Sequence, residues 1–175
     1  MSPGSQQAER RFAEVFAHLG SVAAYARRRG AADAEAVAAE TMTVAWRRLA
    51  DVPRDDPRPW LYATARNIVW SESRRRPVTT GGAMLESAAA PLEEPASLEP
   101  AVATALAALS ALDREVLLLV AWEDLTPAQA ARSLGIKPSA FRVRLLRARR
   151  RFRAALEEAT PAAAPPRSHV ELELQ

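Results

Sequence analysis

The stretch Thr126-Pro127-Ala128-Gln129-Ala130-Ala131-Arg132-Ser133-Leu134-Gly135-Ile136-Lys137-Pro138-Ser139-Ala140-Phe141 holds the most explicit local instructions in the chain. Thr126 and Gln129 are spaced as a capping box. The threonine hydroxyl can accept from the third helical amide, and the glutamine can reach back to the amide of the cap. Pro127 lacks an amide at a position where one would go unpaired, so a helix is expected to start there. Gly135 supplies the left-handed conformation of a tight turn after Leu134, and Pro138 opens the next helix. Beyond it, Phe141, Leu145, Ala148 and Phe152 recur at intervals of 4, 3 and 4, which makes one buried stripe. These signals together spell a helix-turn-helix.

The remaining faces of that second helix are basic. Lys137 to Arg153 carries eight basic residues and no acid, a density that suits a polyanion such as DNA or RNA, or else a solvated arginine face. Ser139, Ala140, Arg142 and Arg144 lie near the amino end, where a recognition helix presents side chains to base edges in the major groove. Arg147, Arg149, Arg150, Arg151 and Arg153 lie farther along and suit phosphate neutralisation or solvent. Upstream, Leu112 to Val120 reads as a capped helix whose apolar residues cover the motif from behind.

The net charge of +3 conceals a segmented chain. Residues 1–76 sum to +4, 77–100 to −4, 101–160 to +4 and 161–175 to −1. The acidic segment has four prolines, the pair Gly81-Gly82 and no helical stripe, and reads as a flexible linker with a fully extended reach of about 80 Å. The closing segment reads as a disordered tail. The expected organisation is therefore all-α: a helical domain over 1–76, the linker 77–100, a helix-turn-helix domain over 101–160 and the tail 161–175.

The first block divides into three expected helices, near Glu9–Arg29, Ala32–Ala50 and Pro57–Arg75, punctuated by Gly30 and Pro53. In the second, Val37, Met42, Val44, Ala45 and Leu49 form an apolar stripe, with Ala36, Glu40, Thr43 and Arg47 opposite. In the third, Trp60, Leu61, Thr64, Ala65 and Ile68 point inward, leaving Asn67, Trp70, Ser71, Arg74 and Arg75 outside. An amide and an aromatic ring beside arginines can hold nucleotides: the ring stacks on a base and the arginines meet phosphates. Trp46 and Trp60 read as core, whereas Trp70 suits either core or surface.

Several function classes are excluded. The chain has no cysteine and only two histidines, so disulfide frameworks, thiolate chemistry and imidazole metal clusters are absent, and no metal or cofactor is expected. Its longest unbroken apolar run, Val116 to Trp122, is far too short to span a bilayer, and Met1 to Arg11 is not a secretory signal. A cytoplasmic location is expected. Phosphate-loop, nucleophile-elbow and two-histidine zinc patterns are missing, and Asp55-Asp56, between prolines and arginines, reads as turn capping. No enzymatic activity is expected.

The two units, in this order and over roughly Phe12 to Leu156, resemble the sigma factors of bacterial RNA polymerase, specifically the compact extracytoplasmic-function (ECF) type with regions two and four only. In the first unit the resemblance rests on Asp33-Ala34-Glu35, Glu40-Thr41, Ala45-Trp46-Arg47, Pro59-Trp60-Leu61-Tyr62, Ala65-Arg66-Asn67 and Arg74-Arg75-Arg76. In the second it rests on Leu112 to Val120, Leu134-Gly135-Ile136 and Arg144 to Arg153.

The resemblance implies a core polymerase surface at Glu40, Thr43 and Arg47. It implies capture of the melted downstream promoter element by the loop 53–58 with Asn67, Trp70, Arg74 and Arg75. It assigns the upstream element to the helix from Pro138, through Lys137, Ser139, Ala140, Arg142, Arg144 and Arg147. An anti-sigma partner is a further expectation of the family. Relatives commonly have an acid, a glutamine and an aspartate where Ala36, Ala39 and Ser71 stand, which removes two polar groups from the polymerase surface and leaves the downstream helix more basic. The alternatives are a helix-turn-helix regulator that binds an operator without polymerase, and a degenerate sigma-like protein or interaction module.

Overall fold

A computed structural model describes residues 3–75 and 99–160. Residues 77–98 of the linker expected over 77–100, and the tail 161–175, lie outside the described residues. Those described form eight helices: α1 (Pro3–Phe16), α2 (Leu19–Arg28), α3 (Ala34–Arg47), α4 (Arg58–Arg75), α5 (Pro100–Ala107), α6 (Ala111–Ala121), α7 (Pro127–Leu134) and α8 (Pro138–Ala159). None is long and apolar enough to cross a membrane, and no group of acids and histidines among them could hold a metal ion.

Local chemistry explains most boundaries. Asp33 caps α3 by accepting from the Ala36 amide at 2.8 Å, and Ser110 caps α6 by accepting from the Asp113 amide at 3.2 Å. Gly30 at φ 70° turns the chain between α2 and α3, and Gly135 at φ 65° turns it between α7 and α8. The carboxyl end of α5 is closed by a side chain distant in sequence. Arg114 donates to the carbonyls of Leu106, Ala107 and Leu109 at 2.8, 3.0 and 3.3 Å, so three carbonyls at or just beyond the helix end have a cationic partner. Burial lowers the Arg114 pKa from its ordinary value.

Two expectations need correction. The helix anticipated over Glu9–Arg29 is two helices, broken at Ala17-His18. The break lets α1 cross to the end of α3, where Arg11 donates to the carbonyls of Leu49, at 3.3 Å, and Val52. Trp46 is not core: it is 46% exposed, its ring set edge-on against Phe12 at 5.0 Å. Ala45 takes the buried position one residue earlier, and this places the indole at the rim.

Val22, Tyr25, Val37, Met42, Leu61 and Ala65 form the core of the first unit, and Val116, Leu119, Leu125, Phe141, Leu145 and Ala148 that of the second. The two cores are continuous among the described residues. The units touch along α4 and α7, so the second lies against the first rather than hanging away from it.

Candidate nucleic-acid interface

The helix-turn-helix forms as its sequence instructs. Thr126 Oγ1 accepts from the Gln129 amide at 3.3 Å, and Gln129 Oε1 accepts from the Thr126 amide at 2.7 Å. Phe141, Leu145 and Ala148 are buried and Phe152 is half-buried, so one face of α8 is fixed against the domain. The opposite face is open. Lys137, Ser139, Ala140, Arg142 and Arg147 are all exposed, as are Arg149, Arg150 and Arg153.

Arg144 departs from this set. Its Nη1 sits 3.7 Å from Asp113 Oδ1, and Arg151 Nη1 donates to Asp113 Oδ2. Asp113 is 1% exposed, in the first turn of α6, where the helix dipole favours a carboxylate. The pair straps α8 to α6. Arg144 and Arg151 thus belong to the flank that holds the recognition helix in place, while Arg142 and Arg147 to Arg150 have no ion-pair partner among the described residues.

The first unit contributes two surfaces. On α3, Glu40, Thr43 and Arg47 are exposed beside Ala36 and Ala39, as the apolar stripe requires. On α4, Asn67 is exposed and Trp70 is 46% exposed, with the Arg66 guanidinium 5.0 Å from the centre of its ring. Arg74 and Arg75 close this helix, and their side chains lie outside the described residues. Arg66 enters the sequence analysis only within the string Ala65-Arg66-Asn67 and was given no role there, although its position four residues before Trp70 is the signal that pairs the two.

Sequence reasoning missed most at the seam between the units. Tyr25 is buried and donates to Glu115 Oε1 at 2.8 Å. Arg29 donates through Nε to Glu115 Oε2 at 3.0 Å and through Nη1 to Glu123 Oε1 at 2.5 Å. Arg28 donates to Glu123 Oε2 at 2.5 Å. The Arg29 guanidinium also lies 3.7 Å from the centre of the Tyr25 ring, which stacks on Tyr62 at 4.8 Å. Burial raises the Tyr25 phenol well above its ordinary pKa, and the neighbouring Glu115 carboxylate raises it further. Burial alone would lower the Arg29 pKa, but Glu115, Tyr25 and Glu123 override it and hold the guanidinium more firmly protonated than in water.

A second strut crosses from the loop before α4. Asp56 accepts from Gln129 Nε2 at 2.5 Å, from the Arg58 amide at 3.2 Å and from Arg58 Nε at 3.1 Å. The turn-capping role expected of this carboxylate is present, and the capping-box glutamine also serves the seam. Partial burial would raise the Asp56 pKa, but these donors outweigh it and hold it below 3.8. Arg132 Nη1 stands 3.8 Å from Asp55 Oδ2. The loop 53–58 therefore lies against α7.

The chain resembles known proteins in sequence and fold. The family described as sigma-70, region 4 matches residues 100–152. A probable RNA polymerase sigma factor, RfaY of Xanthomonas campestris pv. campestris, is 35% identical over 158 residues, which is 83% of this chain and 40% of that protein. The chain thus spans well under half the length of this relative. Among solved structures, CnrH in complex with the cytosolic domain of CnrY is 30% identical with a TM-score of 0.65, covering 89% of this chain and 96% of that one. The sigma factor RpoE in complex with the anti-sigma factor NepR, from Bartonella quintana, has the same fold at 23% identity, with a TM-score of 0.61 over 82% of this chain and 94% of that one.

Proposed function

The chain belongs to the sigma factors of bacterial RNA polymerase, of the extracytoplasmic-function type, and from that membership we propose that it is a dissociable initiation subunit that confers promoter specificity without performing chemistry. Residues 1–76 and 101–160 act as two promoter-facing units, with 77–100 as the tether and 161–175 as a tail. Core polymerase docks on the α3 face at Glu40, Thr43 and Arg47. The loop 53–58 with Asn67, Trp70, Arg74 and Arg75 takes the melted downstream element, where unstacking a base costs a few kcal/mol that stacking and positive charge offset. The amino end of α8 reads the upstream duplex through Lys137, Ser139, Ala140 and Arg142, with Arg147 on phosphate and Arg144 holding the helix to α6.

The observation that carries this reading is the outer side of α8: five arginines, Arg142, Arg147, Arg149, Arg150 and Arg153, without ion-pair partners among the described residues, on a helix whose opposite face is locked by Phe141, Leu145 and Ala148. A helix built that way has a fixed orientation and an unsatisfied affinity for polyanion. The contact of Asp56 with Gln129 covers the loop assigned to the melted strand, so transcription requires the units to part. A protein of the anti-sigma class, such as the NepR bound to the Bartonella relative, is the partner expected to favour the closed form.

The test is run-off transcription of fragmented genomic DNA by core polymerase with and without the chain, followed by sequencing of new 5′ ends. New starts that share two upstream elements are expected. Tight, sequence-specific binding of operator duplex by the chain alone, with no new starts, would refute the proposal in favour of a stand-alone regulator.

A further inference from the structure

Helix α8 carries a second stripe. Ser139, Val143, Leu146 and Arg150 follow one another at 4, 3 and 4 residues, the spacing of the buried stripe displaced by two positions. They therefore line the face opposite the core. Val143 is 50% exposed and Leu146 71% exposed, the two most exposed large apolar side chains among the described residues. Single exposed leucines are ordinary. Two in succession along the outward stripe of an otherwise arginine-covered helix form an apolar strip bordered by cations.

Charge complementarity selects the occupant. Arg142, Arg147, Arg149 and Arg150 surround the strip and have no ion-pair partner among the described residues, whereas Arg144 and Arg151 share Asp113 as a partner. A duplex has the matching pattern, with phosphates along both walls of the major groove and one apolar group on its floor, the thymine C5-methyl. Side chains three apart on a helix stand about 5–6 Å apart, so the two can address neighbouring base steps. We infer that Val143 and Leu146 are specificity-determining residues that pack on thymine methyl groups of the upstream element. This inference rests on the proposed role of α8 as the duplex reader.

The experiment selects duplexes from a random pool with the full chain assembled on core polymerase. Each thymine of the selected consensus is then replaced in turn by deoxyuridine, which removes the methyl and nothing else. The expected result is one or two thymines at which the replacement weakens binding about fourfold, the effect of one buried methyl-sized group. Val143→Ala or Leu146→Ala should abolish the difference between thymine and deoxyuridine at its own position and leave other positions unchanged. Both sites are exposed, and circular dichroism is the check that the variants fold. A consensus in which no thymine is sensitive to methyl removal, or a sensitivity that survives both substitutions, overturns the inference and assigns the strip to a protein partner. If no duplex is enriched at all, the proposed function itself fails and the inference with it.

Discussion

Glu123→Ala should open the molecule rather than simply destabilise it. Glu123 accepts from Arg28 at 2.5 Å and from Arg29 at 2.5 Å, and its side chain is 2% exposed. Removing one partner of a buried ion pair costs about 3 to 5 kcal/mol when the other charge stays buried. Here the stranded arginines have an escape, because separation of α2 from the α6–α7 turn returns them to water. The loss is therefore capped by the free energy of closure, and it falls on the closed-to-open equilibrium before it falls on either unit. A change of about 3 kcal/mol moves such a ratio more than a hundredfold.

The chain has no cysteine, so Ala39→Cys on α3 and Glu157→Cys on α8, both exposed, can be spin-labelled without further changes. Wild type should give one short, narrow distance distribution, and Glu123→Ala should add a long, broad one while helical content stays constant. A Glu123→Ala distribution identical to that of wild type would refute the reasoning.

Three other outcomes follow from the same structure. The raised pKa values of Tyr25 and Tyr62, each due first to burial, mean that closure is fully stabilised below the ordinary tyrosine value of 10 and is lost as pH climbs towards the folded values. Absorbance at 295 nm should thus rise late and together with the long spin-label distance; ionisation near pH 10 with the short distance intact would contradict this. Phe141→Ala, at a fully buried site, should cost about 3 to 5 kcal/mol in chemical denaturation, and a loss under 1 kcal/mol would show that α8 is not anchored there. Gly135→Ala meets no atom within 4 Å but must adopt φ 65°, so only backbone strain of about 1 to 2 kcal/mol should appear, and Gly135→Asn should recover part of it.

How much was legible in advance followed the range of the interactions. The helix-turn-helix was readable residue by residue because each of its determinants acts within four positions: the Thr126–Gln129 box, the left-handed Gly135 and the stripe from Phe141 to Phe152. The outward set on α3 was readable for the same reason, since one apolar stripe fixes the opposite face. Trp46 was misread because composition assigns a tryptophan to the core, whereas Ala45 already fills the position that faces it. The break at Ala17-His18 has no glycine or proline to announce it and exists because Arg11 and Val15 have partners beyond α1.

Local signals specified α3, α4 and α6 to α8, the capping box of α7, the segmented charge and the basic character of α8, since propensity and periodicity act over a few residues; they specified neither the break between α1 and α2 nor α5. Long-range packing is what turns Arg144 and Arg151 to Asp113, brings Gln129 to Asp56, and closes Tyr25, Arg28 and Arg29 on Glu115 and Glu123. Those last partners lie 86 to 95 residues apart. No periodicity relates residues so distant. The charges pair because packing removes them from water together, and a lone buried charge would cost more than the fold can supply.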